Sequence, residues 1–182
     1  LGWDESLLTA EPLARLCELE GVDHITVHAR TARQQYAGKA NWSSVLPISQ
    51  AVRIPVWING DIQDFQSARE ALTQSGAKAI AIGRGALGNP FLFRTIRSGF
   101  CGTQPSLPDN AEIMRTAIRH LEMMAEWKGE NRAVIEMRKH IGWYIKGKKG
   151  ASKARPHLMA AASVQDLQQL LCRFFDELEE NL

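Results

Sequence analysis

The sequence predicts an α/β segment followed by an all-helical segment. Helical and strand patterns alternate over residues 1–97, the strand patterns are almost continuously apolar, and every strong pattern after residue 109 is helical. Helices that alternate with strands are typical of a parallel sheet, and continuous apolar strands are typical of a sheet covered on both faces. Three predicted strands can form a small sheet or one arc of a larger barrel.

The predicted elements of the first segment are, in chain order, helix 9–21, strand 24–29, helix 42–52, strand 54–60, helix 64–77, strand 78–83 and helix 90–98. Thr9 is the expected N-cap of the first helix, and its residues Leu13, Leu16 and Cys17 share an apolar face. Pro47 weakens the prediction of the second helix.

The helix over residues 64–77 has the clearest signals. Asp64 is its expected N-cap and Gly76 its end. Its expected buried stripe comprises Phe65, Ala68, Ala71 and Leu72. The last helix of the segment is expected to carry Pro90 in its first turn.

A Gly/Pro/Ser-rich stretch separates the two segments, with predicted domains at 1–98 and 109–182 and a linker at 99–108. The second domain is expected to be a small helical bundle with helices at 109–129, 131–147, 152–161 and 163–180. Ser163 and Asp166 have the spacing of a capping box at the start of the last helix.

Composition excludes several classes of protein. The 182 residues are 45% hydrophobic and 23% charged, with a net charge of +2, which is ordinary for a globular protein. No apolar run is long enough to span a membrane, and no secretory signal or metal site is predicted. Cys17, Cys101 and Cys172 are widely separated, which favours a reducing, cytoplasmic compartment.

Polar residues and glycines follow all three predicted strands. The first ends in His28-Ala29-Arg30, the second in Asn59-Gly60-Asp61 and the third in Gly83-Arg84-Gly85. Ligands of parallel α/β folds bind at the carboxyl ends of strands, where glycines admit a phosphate to the backbone and an arginine adds a charge-assisted contact. Each motif is also compatible with an ordinary turn.

Basic residues cluster in the helical segment. The seven between positions 137 and 165, where no acid occurs, are Arg138, Lys139, Lys146, Lys148, Lys149, Lys153 and Arg155. This stretch is either a solvated helix face and loop or a surface for nucleic-acid phosphates.

Four motifs resemble the second half of a tRNA-dihydrouridine synthase: "ITVHARTARQQYAGKANW", "IPVWINGDI", "AIGRGALGNPFLFR" and "MRKHIGWYIKG". The resemblance implies part of an FMN-binding (β/α)8 TIM barrel, about three parallel strands with their helices, followed by a helical tRNA-binding domain. It implies reduction of uridine in tRNA to 5,6-dihydrouridine, with NADPH as the reductant of FMN. The residues that it implies for FMN contact are His28, Asn59, Gly60, Asp61, Gly83 and Arg84.

The same resemblance suggests two sets of RNA contacts. The basic stretch in the second domain contributes Arg138, Lys139, His140 and Lys146. The loop after the first strand contributes Arg30, Arg33, Tyr36 and Lys39, because the family acts on a base splayed out of the tRNA. An ordinary surface loop is the alternative for this second set.

The chain also departs from the family pattern. Ala29 replaces the usual glycine, and the family's Asn-x-Gly-Cys-Pro loop, whose cysteine acts as general acid, does not occur. No catalytic residue is therefore assigned, and five of eight barrel strands are missing by this count. We expect an excised piece of a longer protein that is inactive alone and prone to self-association through its unpaired strand edges.

Two other functions compete with this interpretation. One is a catalytically silent RNA-binding module derived from the same family, which would bind tRNA without a flavin. The other is a different flavin barrel, such as a relative of dihydroorotate dehydrogenase, which the helical segment and "RKHIGWYIKG" disfavour.

Overall fold

The computed structural model describes residues 1–180, which form two compact units. The first unit comprises Leu1–Ala86 and Leu92–Pro105. The second comprises Leu87–Phe91 and the residues from Ser106 onward. The prediction of a mixed α/β protein with a parallel sheet is confirmed.

The elements of the first unit are, in order, β1 (Gly2–Asp4), β2 (Leu7–Leu8), α1 (Ala10–Leu19), β3 (Ile25–His28), a 3-10 turn (Trp42–Val45), α2 (Leu46–Ala51), β4 (Val56–Asn59), α3 (Phe65–Ser75), β5 (Ala79–Ala81), a second 3-10 turn (Arg84–Ala86) and α4 (Leu92–Phe100). The three predicted strands form one parallel sheet in the order β3-β4-β5. The antiparallel pair β1-β2 was not predicted.

Helix α3 has the predicted start and end. The Asp64 carboxylate accepts the backbone N–H of Ser67 at 2.7 Å, and the Ser67 hydroxyl accepts the backbone N–H of Asp64 at 3.0 Å. Gly76 ends the helix in the left-handed region with a φ of 62°. Ala68 and Ala71 are fully buried against the sheet, as their spacing predicts.

The predicted apolar face of α1 is only partly used for packing. Leu13 and Leu16 are 57% and 52% exposed, because α1 packs on α2 and β3 through the side that carries the buried Ala14. Thr9 occupies the N-cap position, but its side chain makes no capping hydrogen bond.

The bounds predicted for the last helix of the first segment, 90–98, were wrong by two residues at each end, because α4 spans Leu92–Phe100. Pro90 lies in a turn before α4, and the helix continues through Gly99 to Phe100. A Cβ atom on Gly99 would lie 2.4 Å from the Phe65 ring. This glycine therefore permits close packing inside a helix, whereas the sequence suggested that it marks a linker.

Pro47 also has a different role from the one that the sequence suggested. Pro47 lies in the first turn of α2, directly after the 3-10 turn, where the missing backbone N–H needs no partner. The residue therefore starts the α-helix and does not weaken it.

Four helices make up most of the second unit: α5 (Asn110–Lys128), α6 (Glu130–Tyr144), α7 (Ala151–Ala160) and α8 (Val164–Glu180). The four helices enclose one apolar core, in which Leu121, Met137, Ile141, Leu167 and Leu171 are fully buried. None of the helices within residues 1–180 is long and apolar enough to cross a membrane.

Two local features of the second unit concern packing and capping. The Ser163 hydroxyl accepts the backbone N–H of Asp166 at 3.1 Å, while the Asp166 carboxylate accepts that of Ala162, one residue earlier than a standard capping box. Gly88, with a φ of 69°, lies so close to Trp143 that a Cβ atom there would be 2.5 Å from the Trp143 carbonyl carbon.

Candidate functional site

Hydrogen bonds tie the carboxyl ends of the three parallel strands together. The register pairs His28 with Asn59 and Asn59 with Ala81. His28 Nδ1 donates to Asn59 Oδ1 at 2.5 Å, and Asn59 Nδ2 donates to the Ala81 carbonyl oxygen at 2.7 Å. Because an amide oxygen only accepts a hydrogen bond, Nδ1 of His28 is the donor in this contact.

The turn after β4 depends on glycine. Gly60 has a φ of 128°, and a Cβ atom there would lie 2.9 Å from the Ala40 methyl group. Trp42 Nε1 donates to the Gly60 carbonyl oxygen at 2.8 Å, which links this turn to the 3-10 turn. Asp61 follows with a φ of 54°, a conformation that aspartate tolerates better than most residues.

The Asp61 carboxylate joins two arginines from different strand ends. Its Oδ2 accepts from Arg30 Nη2 at 2.5 Å and from the backbone N–H of Ala40 at 2.8 Å. Its Oδ1 accepts from Arg84 Nη2 at 3.1 Å. The residues that follow β3, β4 and β5 therefore meet at one carboxylate.

Arg30 has a different place from the one that the sequence suggested. It is only 4% exposed, and its guanidinium donates to the carbonyl oxygens of Ala37 and Gly38 as well as to Asp61. The predicted RNA contact is therefore not supported for this side chain, since the loop encloses its donors. Its position instead fixes the loop against the turn after β4.

The Gly83-Arg84-Gly85 turn combines a tight side and an open side. A Cβ atom on Gly85 would lie 2.3 Å from the Ile62 carbonyl oxygen, so this position requires glycine. A Cβ atom on Gly83 would meet nothing within 4 Å, which leaves the backbone there accessible. The side chain of Arg84 between them is about half exposed.

The electrostatics of this cluster favour an anion. Arg30 and Arg84 share the single carboxylate of Asp61, so the three side chains together carry a net positive charge. The sequence from residue 24 to residue 60 contains no acidic residue. An exposed guanidinium beside an open glycine backbone is a suitable donor set for a phosphate.

The remaining loop residues lie at the surface of the first unit. Arg33 pairs with Asp4 at 3.5 Å, and Lys39 is exposed. Tyr36 is 71% exposed, and its ring lies under the Arg84 guanidinium, with the Cζ atom 4.3 Å from the ring centroid.

The residues predicted to contact RNA in the second unit occupy different environments. Arg138 donates to the Ala161 carbonyl oxygen at 3.1 Å and is partly buried. Lys139 is exposed, with its Nζ 5.4 Å from the Trp143 ring centroid, and Lys146 is also exposed. The set therefore does not form one uniform face.

His140 belongs to an aromatic cluster. Its ring lies 4.6 Å from that of His120, and Tyr144 Oη is 3.3 Å from His120 Nδ1. Burial lowers the pKa of both histidines, and for His140 the neighbouring His120 and Lys139 lower it further. Burial also raises the pKa of the Tyr144 hydroxyl.

Sequence reasoning missed the supporting role of residues 40–42. Ala40 contributes a backbone donor to Asp61, and Trp42 fixes the Gly60 carbonyl group. The signal that could have found Asp61 as a bridge is its position directly after a strand-end glycine, opposite an arginine that follows the neighbouring strand.

The fold and these residues define an α/β protein with a cationic cluster at the carboxyl edge of a parallel sheet. A family model described as "Dihydrouridine synthase (Dus)" matches residues 1–179. The chain therefore belongs to the dihydrouridine synthase family.

Similar curated proteins are named as probable tRNA-dihydrouridine synthases. The chain is 41% identical over 156 residues to a "Probable tRNA-dihydrouridine synthase" of Rickettsia conorii, which covers 85% of the chain and 47% of that protein. It is 37% identical over 180 residues to one of Rhodobacter capsulatus, covering 98% of the chain and 55% of the relative. A "Probable tRNA-dihydrouridine synthase 1" of Synechocystis is 37% identical over 172 residues, covering 94% and 48%. The chain thus spans about half the length of these curated relatives.

Proposed function

We propose that this chain is the flavin-phosphate-binding and tRNA-binding part of an enzyme that reduces uridine in tRNA to 5,6-dihydrouridine. The proposed cofactor is FMN, and the proposed reductant is NADPH. A tRNA substrate favours the cytoplasm as the compartment of activity. The observation that carries the proposal is the convergence of Arg30, Asp61 and Arg84 at the ends of three parallel strands.

The residues at the sheet edge fit a flavin phosphate. Arg84 would donate to the phosphate, and the open backbone at Gly83 would admit it. His28, Asn59 and the Gly60-Asp61 turn would line the adjoining part of the flavin site. When bound, FMN supplies the hydride chemistry, whereas the side chains of this part of the enzyme bind and orient.

The fold of the whole enzyme is part of the same proposal. The three strands and their helices would be the last part of a (β/α)8 barrel, and α5–α8 would be the helical tRNA-binding bundle. In the structure of residues 1–180, β3 and β5 each pair with β4 alone. We therefore expect concentration-dependent self-association of the purified chain, which sedimentation velocity would measure.

The proposed RNA surface of the second unit rests on exposed cations. Lys139 and Lys146 are exposed, and the stretch from 138 to 165 contains no acid to oppose the phosphates. Each phosphate contact releases counterions, so tRNA affinity should fall steeply as the salt concentration rises. Lys146→Ala should weaken tRNA binding, and Lys78→Ala, an exposed lysine of the first unit, is the matched control.

The direct test is a titration of the purified 182-residue chain with FMN and with riboflavin, followed by flavin fluorescence. We expect tighter binding of FMN, and we expect Arg84→Ala to weaken FMN by about tenfold or more, the size of a charge-assisted hydrogen bond. Failure of the chain to prefer FMN over riboflavin would contradict the proposed site.

A separate assay tests whether the chain alone can reduce uridine in tRNA. The chain contains no Asn-x-Gly-Cys-Pro cysteine, so we expect it to form no dihydrouridine in tRNA with NADPH and FMN. Formation of dihydrouridine by the chain alone would show that another residue supplies the proton.

A catalytically silent RNA-binding module is the second candidate function. The basic stretch of the second unit favours it independently of any flavin. A chain that binds no flavin but shifts tRNA in a salt-dependent manner would support this candidate over the first.

A further inference from the structure

An exposed tyrosine of the loop after β3 supports the arginine of the proposed phosphate site. The Arg84 guanidinium lies over the Tyr36 ring, 4.3 Å from its centroid, while Nη2 of the same group donates to Asp61. A cation over an aromatic face is attracted by the ring quadrupole. Tyr36 is nevertheless 71% exposed, so this contact does not result from burial of the ring.

The loop that carries Tyr36 is held by several hydrogen bonds. Arg30 donates to the carbonyl oxygens of Ala37 and Gly38, directly after the tyrosine. Gln34 Nε2 donates to the Ala37 and Lys39 carbonyl oxygens, at 3.0 Å each. These bonds connect side chains that precede Tyr36 with carbonyl groups that follow it, so the loop holds the ring at a defined place.

The contacts with Tyr36 and Asp61 leave donors of Arg84 available. A guanidinium has five N–H donors, and its position over the ring does not require a hydrogen-bond acceptor. Asp61 accepts one of these donors, and its charge is shared with the buried Arg30. Arg84 thus keeps free donors and a charge that Asp61 does not fully neutralise.

We propose that Tyr36 is a positioning residue that holds the Arg84 guanidinium for the phosphate group of the cofactor. This inference rests on the proposed function, because it takes the anion to be the FMN phosphate. The face of the aromatic ring holds the guanidinium in position, and the tyrosine hydroxyl is not required. The loop and the phosphate turn are consequently coupled through one side chain.

The test compares FMN and riboflavin, which differ by the phosphate, in the purified full chain and three variants. Tyr36→Ala and Tyr36→Leu should weaken FMN about two- to fivefold, the value of an exposed cation–π contact, and leave riboflavin unchanged. Tyr36→Phe keeps the ring face and should bind both ligands like the original chain. If Tyr36→Ala fails to fold, as circular dichroism would show, the leucine and phenylalanine variants decide.

A second readout needs no substitution. FMN should slow amide hydrogen exchange in residues 31–41 more than saturating riboflavin does, because only FMN brings a phosphate to Arg84. Equal protection by both ligands would contradict the coupling.

The outcomes separate this inference from the proposed function. If the original chain does not prefer FMN, both fail. If Arg84→Ala weakens FMN but Tyr36→Ala and Tyr36→Leu do not, only the positioning role fails. If the Tyr36 variants weaken both flavins equally, or if Tyr36→Phe behaves like Tyr36→Ala, the phosphate-specific role of the ring is overturned.

Discussion

Replacing Asp61 with asparagine should destabilise the first unit through Arg30. The Arg30 side chain is 2% exposed and has Asp61 as its charged partner, so loss of the carboxylate leaves a buried cation with neutral acceptors. Asparagine keeps one acceptor oxygen and tolerates the positive φ of this position, so the substitution tests the charge and adds little backbone strain.

The expected magnitude follows from the burial of the two partners. Removal of one member of a fully buried ion pair costs about 3–5 kcal/mol. Because Asp61 is 22% exposed and asparagine still accepts a hydrogen bond, we expect about 2–3 kcal/mol for Asp61→Asn.

Amide hydrogen exchange followed by mass spectrometry measures this change within the first unit alone. Peptides that cover β3 and β4 report the opening free energy of the strands next to Asp61. The double variant Arg30→Met with Asp61→Asn removes both charges, and it should be more stable than the sum of the two single changes predicts. A cost below about 0.5 kcal/mol, or strict additivity, would refute the reasoning.

Three further outcomes are expected from packing and titration. Gly85→Ala should cost about 1–3 kcal/mol, because its Cβ atom would overlap a backbone carbonyl oxygen, whereas Gly83→Ala should leave the urea midpoint unchanged. Leu121→Ala should lower the opening free energy of the second unit, measured by amide hydrogen exchange, by about 2–5 kcal/mol, since this side chain is completely buried. Burial lowers the pKa of His120 and His140, so the folded state favours the neutral form of both rings. The contribution of the neutral rings to folding stability is complete above the unfolded pKa of about 6.5 and is lost as the pH falls through the lower pKa values of the folded state. The urea concentration at the unfolding midpoint of the second unit should therefore decrease as the pH is lowered from 7.5 to 5.5. A midpoint that stays constant over this range would contradict the prediction.

The strand ends could be predicted because their signals are local. Apolar runs predicted β3, β4 and β5, and parallel order alone places the residues after them at one edge of the sheet. Asp64 and Gly76 were recognised for the same reason, since a cap is defined by its immediate neighbours.

The role of Arg30 could not be predicted in this way. Its acceptors come from Ala37, Gly38 and Asp61, and only the folded loop brings these groups around one guanidinium. A basic residue in a polar loop is usually exposed, so its burial opposes the general pattern.

Tertiary packing also explains why the predictions for Gly99 and for Leu13 and Leu16 differ from the structure. Gly99 lies inside α4 because the Phe65 ring occupies the space where a side chain would be. Leu13 and Leu16 are exposed because the neighbouring elements contact another side of α1. Neither partner is visible from the residues nearby in the sequence.

The membership of Leu87–Phe91 in the second unit affects how the protein could be divided. These five residues precede α4, yet they share a compact unit with helices that begin at Asn110. A polypeptide that starts at Ser106 would lack the backbone of Gly88 that covers Trp143. An exchange of helical units between homologous chains would therefore have to transfer two separate stretches of sequence. A single crossover in the loop between α4 and α5 would place a foreign Trp143 environment next to the original Gly88 and leave mismatched surfaces there.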